Sequence, residues 1–182
     1  MQPNVMRPPQ FSLDEFIADL PANWDHAVMA EIGCYQGEST AAFCKSGKFR
    51  FVYAIDPWKN EVYDPNDKAT LHCDMEVVKA AFDVRVFPYG DMVQVLRMYS
   101  LQAAETIVAN GVFDLVYIDG NHIKEAVLSD LTAWVPKVKP GGIISGHDYG
   151  THPGVKEAVL EYFGRPPEKT YKDFSWRYTR GY

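Results

Sequence analysis

Short apolar runs alternate with amphipathic stretches through most of the chain. The runs are rich in branched and aromatic residues, which predicts strands at residues 27–32, 51–55, 84–87, 113–118 and 143–145. The stretches between and after them place apolar residues three or four positions apart, which predicts helices at 39–45, 68–81, 92–100 with an optional extension over 101–109, 123–135 and 154–164. This alternation indicates consecutive strand–helix–strand units.

The two ends of the chain differ from this alternating body. Residues 1–10 carry three prolines and predict an irregular arm. Residues 11–21 predict a short amphipathic helix, with Ser12 as its N-cap and Glu15 completing a capping box. The aromatic-rich residues 170–182 predict one or two further strands.

The strand–helix alternation also determines the expected fold class. Near-continuous apolar strands joined by helices form mostly parallel sheets that are covered on both faces, and right-handed crossovers make them doubly wound. We therefore expect a Rossmann-like α/β sandwich in a single domain over residues 1–182. Its parts would be an arm with a short helix (1–24), a ligand-binding core (25–165) and C-terminal strands (166–182).

Composition narrows the class of protein. The 182 residues are 47% hydrophobic, which is enough for one globular domain with a sizeable core. A net charge of -6 with scattered Lys and Arg argues against a nucleic-acid or membrane-surface partner. The three cysteines lack CxxC spacing and residues 1–10 lack the apolar segment of a signal peptide, so we expect a cytoplasmic protein.

Two glycines and a carboxylate follow the first two predicted strands. Gly33 and Gly37 flank the first turn, where glycine allows a positive φ and a close approach of the backbone to a ligand. Asp56 comes about 20 residues later, where a carboxylate can accept hydrogen bonds from ribose hydroxyls. Together they favour a nucleoside ligand over an ordinary turn, and Trp58 either lies against the adenine or covers the core.

Further acidic residues and histidines follow the next three predicted strands. Asp91, after the third strand, either accepts from an adenine amino group or caps the following helix. Asp119 and His122 follow the fourth strand, and His147 and Asp148 follow the fifth. Because neighbouring parallel strands end at the same edge of a sheet, we expect the last four residues to converge.

The expected cluster combines metal ligands with a candidate base. Two neighbouring carboxylates repel each other unless a cation lies between them, so Asp119 and Asp148 with His147 suit a divalent ion. Carboxylates favour Mg²⁺ or Mn²⁺, and the imidazole also permits Fe²⁺ or Zn²⁺. His122 suits a general base because imidazole exchanges protons near neutral pH. Each residue alone has a structural explanation, but their grouping at adjacent strand ends favours a site.

The sequence resembles class I S-adenosylmethionine-dependent methyltransferases. The resemblance covers about residues 25–165 and lies in the segments EIGCYQGEST, YAIDPW, GDM, FDLVYIDGNH and VKPGGIISGHDYGTHPGVKEAV. The last two segments are the most specific, and they are similar to the small-domain group related to metal-dependent sugar and macrolide-sugar O-methyltransferases. The resemblance implies a Rossmann-like methyltransferase fold and methyl transfer to a hydroxyl oxygen of a sugar or another small molecule.

The resemblance also implies roles around the cofactor. The turn Gly33–Gly37 would approach the methionine part of S-adenosylmethionine, and Glu31 would fix its amino group or a nearby water. Asp56 would hold the ribose hydroxyls, and Asp91 with Met92 would lie by the adenine.

For the rest of the site the resemblance implies an ion and a base. Asp119 and the pair His147–Asp148 would bind Mg²⁺ or Mn²⁺, and His122 would accept a proton from a small, hydroxylated, sugar-like acceptor. His147 stands where relatives begin an acidic pair, and one negative charge fewer shifts the preference towards a softer ion. The oligomeric state stays open, with a homo-oligomer among the options.

Three other functions compete with this one. A cofactor-binding partner protein without catalysis is compatible with the short chain and its small lid. A metal-dependent hydrolase leaves the glycine turn and Asp56 unexplained. Such a hydrolase would hold Zn²⁺ with His122, His147, His152, Asp119 and Asp148. An NAD-binding oxidoreductase is disfavoured because the GxGxxG pattern is missing.

Overall fold

The computed structural model describes residues 13–59 and 73–181, which form one seven-stranded sheet with helices on both faces. The strands are β1 (Ala27–Ile32), β2 (Phe49–Ile55), β3 (Val93–Leu96), β4 (Phe113–Ile118), β5 (Val138–Gly146), β6 (Lys169–Thr170) and β7 (Trp176–Thr179). The helices are α1 (Asp14–Asp19), α2 (Glu38–Lys45), α3 (Met75–Val86), α4 (Ser100–Thr106), α5 (Lys124–Trp134) and α6 (Pro153–Phe163). Two 3₁₀ helices lie at Phe87–Met92 and Val135–Lys137.

The order of the strands is β3-β2-β1-β4-β5-β7-β6. The first five strands along the chain pair in parallel, and β7 runs antiparallel to both β5 and β6. The chain moves outward from β1 to β3 and then returns to β4 on the other side of β1. This reversal makes the carboxyl ends of β1 and β4 the place where such sheets bind ligands.

The core consists of apolar layers on the two faces of the sheet. Residues of α4, α5 and α6 pack with the strands in one cluster, which includes the fully buried Trp134 and Trp176. Residues of α1 and α2 pack on the strands in a second cluster around Phe16 and Phe43. Helix α3 contributes Phe82 to a third cluster. Because both faces are covered, the central strands read as continuous apolar runs.

The predicted fold class is confirmed. Strands β1 and β4 have the predicted bounds, and the predicted strands 51–55 and 143–145 lie inside longer observed strands. The predicted C-terminal strands are β6 and β7. Strands β4 and β5 are neighbours, which is the arrangement the site prediction required. None of the helices within residues 13–59 and 73–181 is long and apolar enough to cross a membrane.

The prediction for the third strand is wrong. Residues 84–87 end α3 and begin a 3₁₀ helix, and the helix predicted at 92–100 contains β3 instead. Val86 is buried while Val84 and Phe87 are largely exposed, so only one side of this run packs against the core. A short apolar run does not distinguish a strand from a helix end, and pairing of β3 with β2 decided between them.

Three predicted features lie partly or wholly outside the described residues. These are the arm over 1–10, the Ser12 cap and the first residues of the helix predicted at 68–81. Within the described part, Asp74 caps α3 by accepting a hydrogen bond from the backbone N–H of Glu76 at 3.0 Å.

A close backbone contact joins the carboxyl ends of β1 and β4. The N–H of Asp119 donates to the carbonyl of Ile32 at 2.7 Å, and the next residue, Gly33, has a φ of 85°. A Cβ atom at Gly33 would lie 2.5 Å from the carbonyl carbon of Asp119. Glycine is therefore required here by the chain's own packing, before any ligand is considered.

We predict that Gly33→Ala destabilises the protein by roughly 3 kcal/mol more than Gly47→Ala does, because an added methyl group overlaps fixed backbone. Gly47 is the matched control, since its φ of 71° is also positive but nothing lies within 4 Å of an added Cβ. Both variants carry the left-handed cost of about 1–2 kcal/mol. Urea unfolding measures the two free energies of unfolding, and equal values would contradict the packing argument.

Candidate active site

Glu31 lies at the carboxyl end of β1 and is fully buried. Its Oε2 atom accepts a hydrogen bond from the Thr40 hydroxyl at 2.5 Å, but its Oε1 atom has no hydrogen-bond partner within residues 13–59 and 73–181. Burial raises the pKa of Glu31 to about 7, although the nearby Ser39 and Thr40 hydroxyls oppose the increase. An unpaired buried acceptor is costly, so this atom is suited to a donor from a bound molecule.

The turn after β1 is shaped by its two glycines. Gly37 precedes α2 with a φ of 78°, and an added Cβ would lie 2.8 Å from the Phe82 ring. Packing within the chain therefore accounts for Gly37 as it does for Gly33. The predicted contact of this turn with a ligand stays a prediction.

Asp56 follows β2 and holds the same turn in place. Its Oδ2 atom accepts from the N–H groups of Cys34 and Tyr35, each at 3.0 Å, and its Oδ1 atom accepts from the N–H of Trp58 at 2.7 Å. Burial raises the pKa of Asp56, and these three hydrogen bonds oppose the increase. Asp56 thus has a structural role that the sequence did not indicate, while Oδ1 retains room for one more donor.

Trp58 lies over the core, as the second of its two expected positions requires, and its contact with adenine stays a prediction. The side chain is 1% exposed and packs on Phe82 with 4.8 Å between ring centroids. Its Nε1 donates to the Tyr35 carbonyl at 2.8 Å. These contacts make Trp58 part of the core.

The placement of Asp91 and Met92 after the third strand is wrong. Both residues precede β3, whose first residue, Val93, pairs with Val52 in the middle of β2. They therefore lie before the strand and not at its carboxyl end, and Asp91 caps no helix because a strand follows it. The error follows from the misplaced third strand.

The four residues predicted to converge after β4 and β5 do come together. His122 Nε2 lies 3.1 Å from Asp148 Oδ2, and His147 Nδ1 lies 3.2 Å from the same oxygen. His147 Nδ1 is also 3.8 Å from Asp119 Oδ1. Asp119, Asn121, His122 and His147 line a small cavity beside the cluster. The sheet thus assembles two carboxylates and two imidazoles at one edge.

The charges in the cluster depend on one another. Burial raises the pKa of Asp119, with the positive charge of His147 opposing it. Burial alone would also raise the pKa of Asp148, but hydrogen bonds from His122, His147 and Thr151 outweigh it and hold the pKa below its usual range. Burial lowers the pKa of His147, yet its hydrogen bond to Asp148 and the charge of Asp119 raise it to about 9. A protonated imidazole thus compensates the two carboxylates.

His152 is a member of the cluster that the main prediction did not include. Its Nδ1 atom lies 3.2 Å from Asp148 Oδ1, and its ring stacks on the His122 ring with 4.1 Å between centroids. Sequence reasoning placed His152 only in the competing hydrolase site. A usable signal was the four-residue spacing from Asp148 to His152 directly before Pro153, since proline marks the first turn of a helix.

Two overlapping sets of donors in this cluster have the composition of a metal site. One set is Asp119, His147 and Asp148, and the other is His122, Asp148 and His152. Within each set the ligand atoms lie within 4.8 Å of one another. The first set is the one that the sequence predicted, and its carboxylates and imidazole fit a divalent cation.

The buried carboxyl group of Glu31 predicts a specific dependence of stability on pH. Its pKa in the folded protein is about 7 instead of 4.5, so the folded state binds more protons than the unfolded state between these values. The free energy of unfolding should therefore fall by about 3 kcal/mol between pH 4.5 and 8 relative to the Glu31→Gln variant. Urea unfolding of both proteins across this range measures it, and parallel curves would refute the assignment.

Comparison with known proteins places the chain in a family. A family model described as a methyltransferase domain matches residues 30–149. The uncharacterized protein R132 of Acanthamoeba polyphaga mimivirus is 27% identical over 130 residues, which are 69% of this chain and 52% of that protein. The chain thus spans about half the length of this curated relative.

Solved structures share the fold over nearly the whole chain. The O-methyltransferase NovP has a TM-score of 0.64 and 20% identity, covering 92% of this chain and 77% of its own. An O-methyltransferase from Bacillus cereus in complex with S-adenosylhomocysteine has a TM-score of 0.63 and 14% identity, covering 93% and 81%. CalS11, a TDP-rhamnose 3'-O-methyltransferase of calicheamicin biosynthesis, has a TM-score of 0.58 and 15% identity, covering 93% and 77%. Structural similarity at these low sequence identities shows that the chain shares the fold of these proteins.

The family model covers the segment from β1 through the turn after β5, which includes every residue of the strand-end cluster up to Asp148. The strand order and the similar structures agree with it. The chain therefore belongs to the methyltransferase-domain family and has the fold of class I S-adenosylmethionine-dependent methyltransferases.

Proposed function

We propose that the protein transfers a methyl group from S-adenosylmethionine to a hydroxyl oxygen of a small, sugar-like molecule. The observation that carries this proposal is the grouping of His122 and three further ionisable side chains at the ends of β4 and β5, next to the Glu31 turn. This edge lies at the switch point of the sheet, where cofactor and acceptor would meet. A methyl-transfer site needs this proximity of a cofactor pocket to a proton acceptor.

Glu31 supports the cofactor part of the proposal. Its Oε1 atom is buried and unpaired, and the ammonium group of the methionine part is a charged donor that would satisfy it. Asp56 lies across the same turn and has acceptor capacity at Oδ1 for a ribose hydroxyl. When bound, the cofactor supplies a methyl group on a sulfonium sulfur, which is already a good leaving group.

His122 is assigned the role of general base. The carboxylate of Asp148, 3.1 Å from Nε2, stabilises the imidazolium that forms when the ring accepts a proton. Loss of that proton makes the acceptor oxygen nucleophilic. General base catalysis of this kind contributes about 10²–10⁴-fold to a rate.

A divalent cation would be held by Asp119, His147 and Asp148. Such an ion would lower the pKa of a bound hydroxyl and help to orient it. The set contains an imidazole in place of a third carboxylate, so Mn²⁺ or a softer ion suits it better than Mg²⁺.

Binding of S-adenosylhomocysteine tests the cofactor assignment without any knowledge of the acceptor. A ligand in excess over its Kd stabilises the folded protein, so the melting temperature should rise. Glu31→Gln should weaken binding about 10–100-fold at pH 8, because the amide presents a donor where the carboxylate accepted a charged group. Thermal melts and calorimetric titration measure both effects.

His26→Ala is the matched control for the binding and activity experiments. Its side chain is 75% exposed and its ion-pair partner is Asp25, away from the cluster. The control should bind S-adenosylhomocysteine as the wild type does. A wild-type protein that shows no thermal shift would exclude both the methyltransferase proposal and the non-catalytic cofactor-binding protein, and would leave the hydrolase as the alternative.

Removal of the proposed base should separate catalysis from binding. His122→Ala should lower methyl transfer about 10²–10⁴-fold while the shift with S-adenosylhomocysteine persists. The assay uses S-adenosylmethionine with a labelled methyl group and a panel of nucleotide sugars and other hydroxylated acceptors. An unchanged rate in His122→Ala, with His26→Ala as reference, would refute the assignment of the base.

A further inference from the structure

His122, Asp148 and His152 form a group of two imidazoles and one carboxylate beside the proposed catalytic ion site. His122 Nε2 lies 3.1 Å from Asp148 Oδ2, and His152 Nδ1 lies 3.2 Å from Asp148 Oδ1. The three ligand atoms lie within 4.8 Å of one another. About two fifths of the His152 side chain is exposed, so an ion can reach the group from solvent.

Packing of two chain segments holds the two imidazoles together. Gly154 lies in the first turn of α6, and an added Cβ there would be 2.9 Å from the backbone nitrogen of Lys124. The missing side chain lets the start of α6 contact the backbone around His122. The rings of His122 and His152 lie nearly parallel, with 4.1 Å between centroids and 20° between planes, so one ring must turn before both can bind one ion.

The carboxylate between the rings is also fixed. Asp148 has a φ of 62° and accepts a hydrogen bond from the hydroxyl of Thr151. Its two oxygens point to different partners, because Oδ1 faces His152 while Oδ2 faces His122 and His147. Because Oδ2 lies beside one histidine of each donor set, the carboxylate can bridge two neighbouring cation positions.

We infer that His122, Asp148 and His152 bind a transition-metal cation of the Zn²⁺ class, at a site separate from the one formed by Asp119, His147 and Asp148. Two imidazoles and one carboxylate are a common three-residue set for zinc with an open fourth position. Mg²⁺ prefers oxygen ligands and is disfavoured by this set. The two sites share Asp148 and differ in every other ligand.

Occupation of this site has a consequence for catalysis, which rests on the proposed function. The ion takes the His122 nitrogen that faces Asp148, so the ring no longer has the carboxylate partner that stabilises its protonated form. Zn²⁺ then inhibits methyl transfer by the wild-type protein and spares a variant that lacks the His152 ligand.

Zn²⁺ titration of the metal-stripped full chain tests the site directly. His152→Phe keeps a ring to stack on His122 but removes the ligand nitrogen, so it should lose one bound Zn²⁺, with an affinity loss of about 100-fold or more. Asp119→Asn changes only the other set and should keep that ion. Calorimetric titration and a chromophoric zinc indicator count the ions in each protein, with His26→Ala as control.

Three results would overturn the inference. The first is a wild-type protein that binds no Zn²⁺ below about 100 µM. The second is a His152→Phe titration that matches that of the wild type. The third is that Asp119→Asn also loses the Zn²⁺ ion that depends on His152. Near-UV circular dichroism checks folding, and His152→Asn replaces His152→Phe if the latter does not fold. The thermal shift with S-adenosylhomocysteine is read separately, so failure of the proposed function and failure of the zinc site are distinguishable.

Discussion

The backbone contact between Gly33 and Asp119 determines where the groups of the candidate site lie. The ends of β1 and β4 approach so closely that an added Cβ at Gly33 would overlap the Asp119 carbonyl group. The contact holds the turn after β1 against the turn after β4. Glu31, at the end of β1, therefore lies close to the turn that carries His122. Under the proposed function, the groups assigned to the cofactor and to proton transfer would thereby lie side by side.

Asp148 is the residue that the histidines of the strand-end cluster surround. One carboxylate is approached by His122, His147 and His152, and hydrogen bonds from His122 and His147 offset the cost of burying it beside Asp119. The same arrangement accounts for the overlap of the two donor sets, because both include Asp148. Family membership is consistent with methyl transfer.

Sequence reasoning was accurate where one pattern had one physical meaning. The buried runs of β1 and β4 lie between clear turn residues, and both were predicted with their observed bounds. It was wrong at β3, where the apolar run at 84–87 fits either a strand or the end of a helix. Because of that error, Asp91 and Met92 were predicted at the carboxyl end of the third strand, whereas they precede β3. Only the carboxyl ends of the parallel strands reach the candidate site.

The sequence by itself determined the alternation of strands and helices, and therefore the parallel sheet with its chemistry after β4 and β5. Only the tertiary structure decided which polar groups keep open positions. Asp56 accepts from three backbone N–H groups and keeps room for one more donor at Oδ1, Trp58 is buried, and Glu31 retains an unpaired oxygen. The physical reason is that hydrogen-bond satisfaction and burial depend on residues distant in the chain, and local patterns do not contain them.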